Sequence, residues 1–136
     1  SSEQNGYNFF KSKCETCHKE PLFTDNSFRN TGMAVNPFIN DYGRMRITAN
    51  AGDSLKFKVP SLRNAELTFP YSHDGRFYTL SDALDHYRTG IITTQPTLDP
   101  LLLNRIAMTN TEKNDLINFI KTLTDTTMTK ALRFAQ

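Results

Sequence analysis

Net charge, long apolar runs and cysteine are all scarce in this chain of 136 residues. With 16 Lys and Arg against 14 Asp and Glu, the formal charge is +2 and the pI about 8.6, too mild to argue for a nucleic-acid surface. No apolar run approaches the about 20 residues that a membrane-spanning helix needs, so no transmembrane segment is expected. Hydrophobic residues make up 38% and the mean hydropathy is −0.52, little apolar material for one domain of this length. There is no internal repeat and no low-complexity segment, so residues 1–136 are expected to form a single domain.

Both cysteines fall in one motif, Cys14-Glu15-Thr16-Cys17-His18. A C-x-x-C-H run is the attachment pattern of c-type haem. Two thiols about one helical turn apart can each add to a haem vinyl group, and the next residue, His18, then lies under the iron as proximal imidazole ligand. Other readings explain less. A zinc site needs more Cys or His nearby, and the only other histidines are His73 and His86. A thioredoxin-like pair expects a βαβ context, and a structural disulfide gives no reason for the adjacent histidine. One covalent haem c also mends the apolar deficit, because side chains can pack on the porphyrin instead of on one another. Its two propionates would bring the whole close to neutral.

Covalent haem attachment in bacteria takes place outside the cytoplasmic membrane, so a periplasmic or otherwise exported location is expected. No signal peptide is visible, and the numbering is therefore expected to begin inside a mature or truncated product.

Periodicity predicts a short helix around Gly6–Phe10 leading into the motif, with Glu3 and Gln4 near its positive end and Tyr7 and Phe10 in the core. From Pro21 to Pro60, Asn, Gly and Pro punctuate a long irregular stretch, in which Lys56–Val59 alternates as a short extended piece. A helix should start at Thr79, boxed by Asp82, with Leu80, Ala83, Leu84 and Tyr87 on its apolar face, and end at Gly90. His86 is turned about 100° from that face. A short helix is expected over Leu101–Met108, and a longer one after Thr109 or Thr111 with Leu116, Ile117, Phe119, Ile120 and Leu123 on one side. The fold expected is mostly α, a cytochrome c-like domain with long loops wrapped around one covalent haem.

Several blocks recur in a familiar order: the haem motif, then Phe23-Thr24-Asp25-x-x-Phe28-x-Asn30-x-Gly32, Asp41-x-Gly43-Arg44, Phe57-Lys58-Val59-Pro60-Ser61-Leu62-Arg63-Asn64, Pro70-Tyr71-x-His73-Asp74-Gly75, and Asp115-Leu116-x-x-Phe119-x-x-x-Leu123-Thr124. Together they resemble the C-terminal haem domain of bacterial di-haem cytochrome c peroxidases and their MauG-type relatives. The likeness runs from about Gly6 to Asp125. Such proteins carry a peroxidatic haem on an N-terminal domain, where hydrogen peroxide is split, and a six-coordinate haem on the C-terminal domain that relays electrons. This chain has one C-x-x-C-H and resembles the second half alone. The resemblance thus implies an N-terminal peroxidatic partner domain in the same parent chain, a small redox protein as donor, and weak or no peroxidase activity for this piece alone.

The resemblance also bears on the sixth iron ligand. The peroxidase branch places a methionine fourteen residues beyond the histidine of the His-Asp-Gly block, and that count from His73 lands on Tyr87. The MauG branch uses a tyrosine there. The alternatives are Met108, then Met33 and Met45, or an open site; Met128 lies beyond the last helix. Phenolate oxygen favours ferric iron and a low potential, and methionine sulfur the reverse. His73 is expected either to bond a propionate or to be an ordinary turn histidine satisfied by Asp74 or backbone. Arg63 and Arg76 are candidate propionate partners. The family's interdomain calcium would draw on backbone carbonyls matched by Thr68 and Pro70, with the rest of its six to eight oxygens coming from elsewhere.

Two functions from different classes follow. One is the electron-transfer haem domain of a di-haem peroxidase or MauG-like oxidoreductase. The other is a stand-alone mono-haem electron carrier, which has no need of the Phe57–Gly75 blocks.

Overall fold

Residues 1–127, 130 and 131 are described by the computed structural model; Met128 lies outside them. Helix α1 (Ser2–Lys13) starts earlier than its apolar spacing suggests because Ser1 caps it, its Oγ accepting the Gln4 N–H at 3.4 Å. Glu3 sits in the first turn, where the helix dipole favours it. Helix α4 (Asn110–Thr122) begins at Thr109 through a reciprocal capping box with Glu112, which excludes Thr111 as the start.

α1 and α4 pack against each other at very short range. Gly6 makes this possible, since a Cβ there would lie 2.0 Å from the Asp115 carbonyl oxygen. Asn118 Nδ2 donates to Ser2 Oγ at 2.9 Å, and Ser2 Oγ in turn bonds the Asp115 carboxylate. Beside this contact the core gathers Phe10, Phe23, Ala65, Leu116, Phe119 and Ile120. The Phe10 ring centroid is 5.1 Å from Phe119 and 5.5 Å from Phe23, both tilted as aromatic quadrupoles prefer. Burying each such side chain is worth about 1.5–3 kcal/mol. Leu123 packs half-buried at its margin, and Ile117 is half-buried without joining it.

The stretch from Pro21 to Pro60 is largely irregular, as expected. Two short strands cross it: β1 (Phe28–Arg29) pairs antiparallel with β2 (Phe57–Lys58), Phe28 facing Lys58 and Arg29 facing Phe57. The four-residue helix α2 (Met45–Thr48) was not visible in the periodicity, being little more than one turn, and it stops at Ala49 in the left-handed region. Helix α3 (Leu80–Asp85) has the Thr79–Asp82 capping box and then passes into a π-helical turn over His86–Gly90.

One expectation fails. Leu101–Met108 is not a helix; only a 3₁₀ turn forms at Pro100–Leu102, capped by Asp99, and Arg105 at φ 56° breaks any right-handed continuation. His86, expected about 100° from the apolar face of α3, is buried there too. It is 8% exposed, covered by the chain at Thr31. A second apolar cluster, Ile91, Leu98 and Leu102 with Tyr87 and Ile106 against it, sits on that side. Among the described residues no helix is long and apolar enough to cross a membrane.

Candidate haem site

The motif forms the end of α1. Cys14 N–H donates to Phe10 O at 2.8 Å as the helix cap, and Cys17 and His18 then both turn back to Cys14 O, at 3.2 and 3.0 Å. One turn thus separates the two thiols and delivers His18 directly after them. Burial, with Cys17 nearby, pushes the Cys14 thiol up to about 12, and burial raises Cys17 as well. A catalytic redox pair needs the opposite shift.

His18 is oriented by carbonyls. Its Nδ1–H faces Phe23 O at 3.1 Å and Pro60 O at 3.2 Å, which fixes the tautomer and leaves Nε2 as the lone-pair nitrogen. Burial lowers its pKa, which keeps the imidazole neutral. Sequence reasoning missed both carbonyls, although Phe23 and Pro60 stand in the recurring blocks. Thr24 Oγ1 donates to Val59 O at 2.6 Å and Ser61 Oγ to Leu22 O at 2.6 Å, stitching the two segments together. Arg63 joins them. Its Nε and Nη2 both donate to Pro21 O, at 3.0 and 2.7 Å, and its guanidinium lies over the Phe23 ring. That guanidinium clamps the loop that carries His18.

Tyr87 packs against the Ile91, Leu98 and Leu102 cluster. Burial pushes its phenol up to about 12, and Cys14 and Cys17 are near enough to add to the effect. Its carbonyl accepts Ile106 N–H at 3.0 Å. Met108, two residues on, is also buried, at 8% exposed. Met33 and Met45 are half-buried, Met33 with its carbonyl held by Gln95 Nε2 at 2.8 Å.

His73 stacks flat on Phe57, centroids 3.7 Å apart and planes 11° from parallel. Its buried Nδ1 has no hydrogen-bond partner among the described residues. Asp74, the bland candidate for satisfying it, is spent elsewhere: it accepts Ser72 Oγ at 2.6 Å and a bidentate grip from Arg76. Arg76 also donates to Ala34 O at 2.7 Å. Thr68 and Pro70 lie exposed. Among the described residues no group of three or more His, Cys, Asp or Glu gathers to hold a metal ion, so calcium there would rest on backbone carbonyls.

Near Cys17, Arg29 bridges two carboxylates, Asp25 at 2.9 Å and Asp99 at 2.8 Å. Burial alone would raise Asp25, but hydrogen bonds from Ser27 and Arg29 outweigh it and hold the carboxyl well below the usual range. This triad had no sequence signal, since Asp99 lies 70 residues from Arg29.

The donor set fits a covalent haem: two thiols a turn apart, an imidazole with only Nε2 free, a buried phenol near enough to the thiols to feel their charge, and an orphaned buried nitrogen on His73.

No family model matches the chain. Among curated proteins it is 38% identical over 128 residues to cytochrome c551 peroxidase of Nitrosomonas europaea, which covers 90% of this chain and 34% of the relative. It is 34% identical over 124 residues to methylamine utilization protein MauG of Methylorubrum extorquens, 88% of this chain and 34% of that one. The chain therefore spans about a third of the length of these relatives. Among solved structures, a MauG-like protein associated with microbial copper homeostasis superposes with a TM-score of 0.82 at 33% identity, over 99% of this chain and half (50%) of that one. The diheme peroxidase BthA of Burkholderia thailandensis shares the fold, with a TM-score of 0.74 at 23% identity over 91% of this chain and 42% of that one. The chain belongs to the family of the cytochrome c peroxidases and MauG.

Proposed function

We propose that this chain is a c-type haem domain for electron transfer within a di-haem peroxidase or MauG-like oxidoreductase, supporting hydrogen peroxide reduction at a second haem on another domain. The observation that carries the reading is His18, held by two carbonyls with Nε2 free, directly after two cysteines set one turn apart. Cys14 and Cys17 would hold one haem c as thioethers, which leaves no thiolate to oppose the phenol. His18 would be the proximal ligand and Tyr87 the distal one, with Met108 as the rival. When bound, the haem supplies a one-electron iron couple.

The chain's own residues do the rest. Phe23 and Pro60 keep the imidazole aimed and burial keeps it neutral; the aromatic core beside α1 excludes water from the cysteine side. His73, on its Phe57 platform, suits a propionate. Arg76 is committed to Asp74, and Arg63 to Pro21, so both act by holding loops. Residues 1–136 form one cytochrome c-like domain, the C-terminal half of its parent, exported to the periplasm. Turnover of peroxide by this chain alone is weak, and calcium, if it binds at Thr68 and Pro70, needs ligands from the partner domain.

The test is covalency. Protein made with haem-maturation machinery should keep its colour in the polypeptide through acid–acetone extraction, and Cys14→Ser or Cys17→Ser should lower the holoprotein yield. Pigment that extracts freely overturns the proposal.

A further inference from the structure

We propose that His86 is the positioning residue for Tyr87, acting through the Thr31 carbonyl; this rests on the reading of Tyr87 as an iron ligand. A π-helical turn is a rare departure from the α-helix and persists where surroundings support it, frequently at functional sites. Tyr87 stands in such a turn, His86–Gly90. Its neighbour His86 anchors the turn from outside the helix. A carbonyl can only accept, so His86 Nε2 carries the proton and donates to Thr31 O at 2.8 Å.

The imidazole cannot shift without Tyr87 responding. The two ring centroids are 5.5 Å apart in an edge contact, and Phe77 closes the other side at 5.6 Å. Gly90 completes the seat, because a Cβ there would lie 2.9 Å from His86 Nδ1.

The acceptor is itself immobile. Asn30, 1% exposed, bonds Gln95 and Thr97 through Nδ2, accepts Gly32 N–H through Oδ1, and accepts Asp99 N–H on its carbonyl at 3.0 Å. Gly32 O accepts Ile92 N–H at 2.9 Å. The same segment runs back through Arg29, which holds the Asp25 carboxylate, to Asp25, whose N–H donates to Cys17 O at 2.9 Å. His86 therefore ties the tyrosine-bearing turn to the segment that carries the cysteines. Its pattern of contacts sets the direction of the phenol relative to the thiols.

The experiment compares four variants of the full haem-loaded chain by ferric absorption and electron paramagnetic resonance spectra and by midpoint potential. His86→Phe keeps the ring's shape and removes the donor; a mixture of coordination states and a raised potential are expected. His86→Gln retains an N–H and should recover most of the original spectrum. Gly90→Ala displaces the imidazole without deleting it and should shift the same signals in the same direction, by less. Wild-type spectra and potential in both His86→Phe and Gly90→Ala, even with a lowered melting temperature, overturn the proposal and leave His86 a packing residue. If His86→Phe gives no holoprotein, Gly90→Ala and His86→Gln decide in the same way. Tyr87→Phe is the separate control: no spectral change there means that the ligand reading has failed, whereas a change there with silent His86 variants means that the positioning role alone has.

Discussion

At the scale of single residues, Tyr87 and Met108 make the sharpest contrast. Met108 is 8% exposed, whereas the Tyr87 phenol is near enough to Cys14 and Cys17 to feel their charge, and burial pushes its acid dissociation up to about 12. A phenol so placed ionises only if a cation stands against it, and ferric iron is such a cation. Tyr87→Phe should convert the ferric site to five-coordinate or water-bound iron and raise the potential, while Met108→Ala should cost stability, about 2–5 kcal/mol, and leave the spectrum alone. The reverse pattern would transfer the ligand role to Met108. The contiguous part of this site was readable in the sequence because thioether chemistry demands Cys, Cys and His within one turn. The rest was not. Pro60, which helps to aim His18, lies 42 residues away, and nothing in a carbonyl's identity marks it as an acceptor.

At the scale of elements, caps announced themselves and crossings did not. Thr79 with Asp82 is a capping box in sequence and in space, and the start left open between Thr109 and Thr111 is fixed by the box of Thr109 with Glu112. The apolar spacing of α3 marks only the stripe facing one neighbour and says nothing of what meets His86; the chain at Thr31 covers it, a contact across 55 residues that periodicity cannot contain. Gly6 is a similar case. In sequence it reads as a weak point in a helix, yet it is where α1 meets the backbone of α4. Gly6→Ala would normally help a helix by about 1 kcal/mol. Here a Cβ 2.0 Å from Asp115 O must drive the helices apart, and the net cost should be about 3 kcal/mol, as for other overpacked contacts. Chemical denaturation of the two proteins checks this, and an unchanged or raised midpoint would show that the crossing is looser than it stands.

For the molecule as a whole, acidity is the condition that should undo the fold. Asp74, with its side chain 1% exposed, is held far below the carboxylate range chiefly by Arg76, against the opposing pull of burial and with help from Ser72. Asp25 is held down in the same sense by Ser27 and Arg29. A carboxyl with a depressed folded pKa lends stability that is complete above its unfolded value, about 4, and is lost as pH falls from there through the folded value. These two pin different loops, Asp74 the turn beside His73 and Asp25 the segment leaving Cys17, so protonating them should loosen both surroundings of the haem before the α1–α4 core gives way. Melting temperature should therefore stay level near neutrality and fall steeply below about pH 4. Asp74→Asn should cost about 3 kcal/mol at pH 7, because Arg76 loses its charged partner. It should also flatten the acid slope, since the unfolded variant no longer takes up that proton on acidification. Thermal melts of both proteins from pH 7 downward give the answer: parallel curves would mean that Asp74 titrates alike in folded and unfolded chains, and that the Arg76 grip contributes nothing to acid sensitivity.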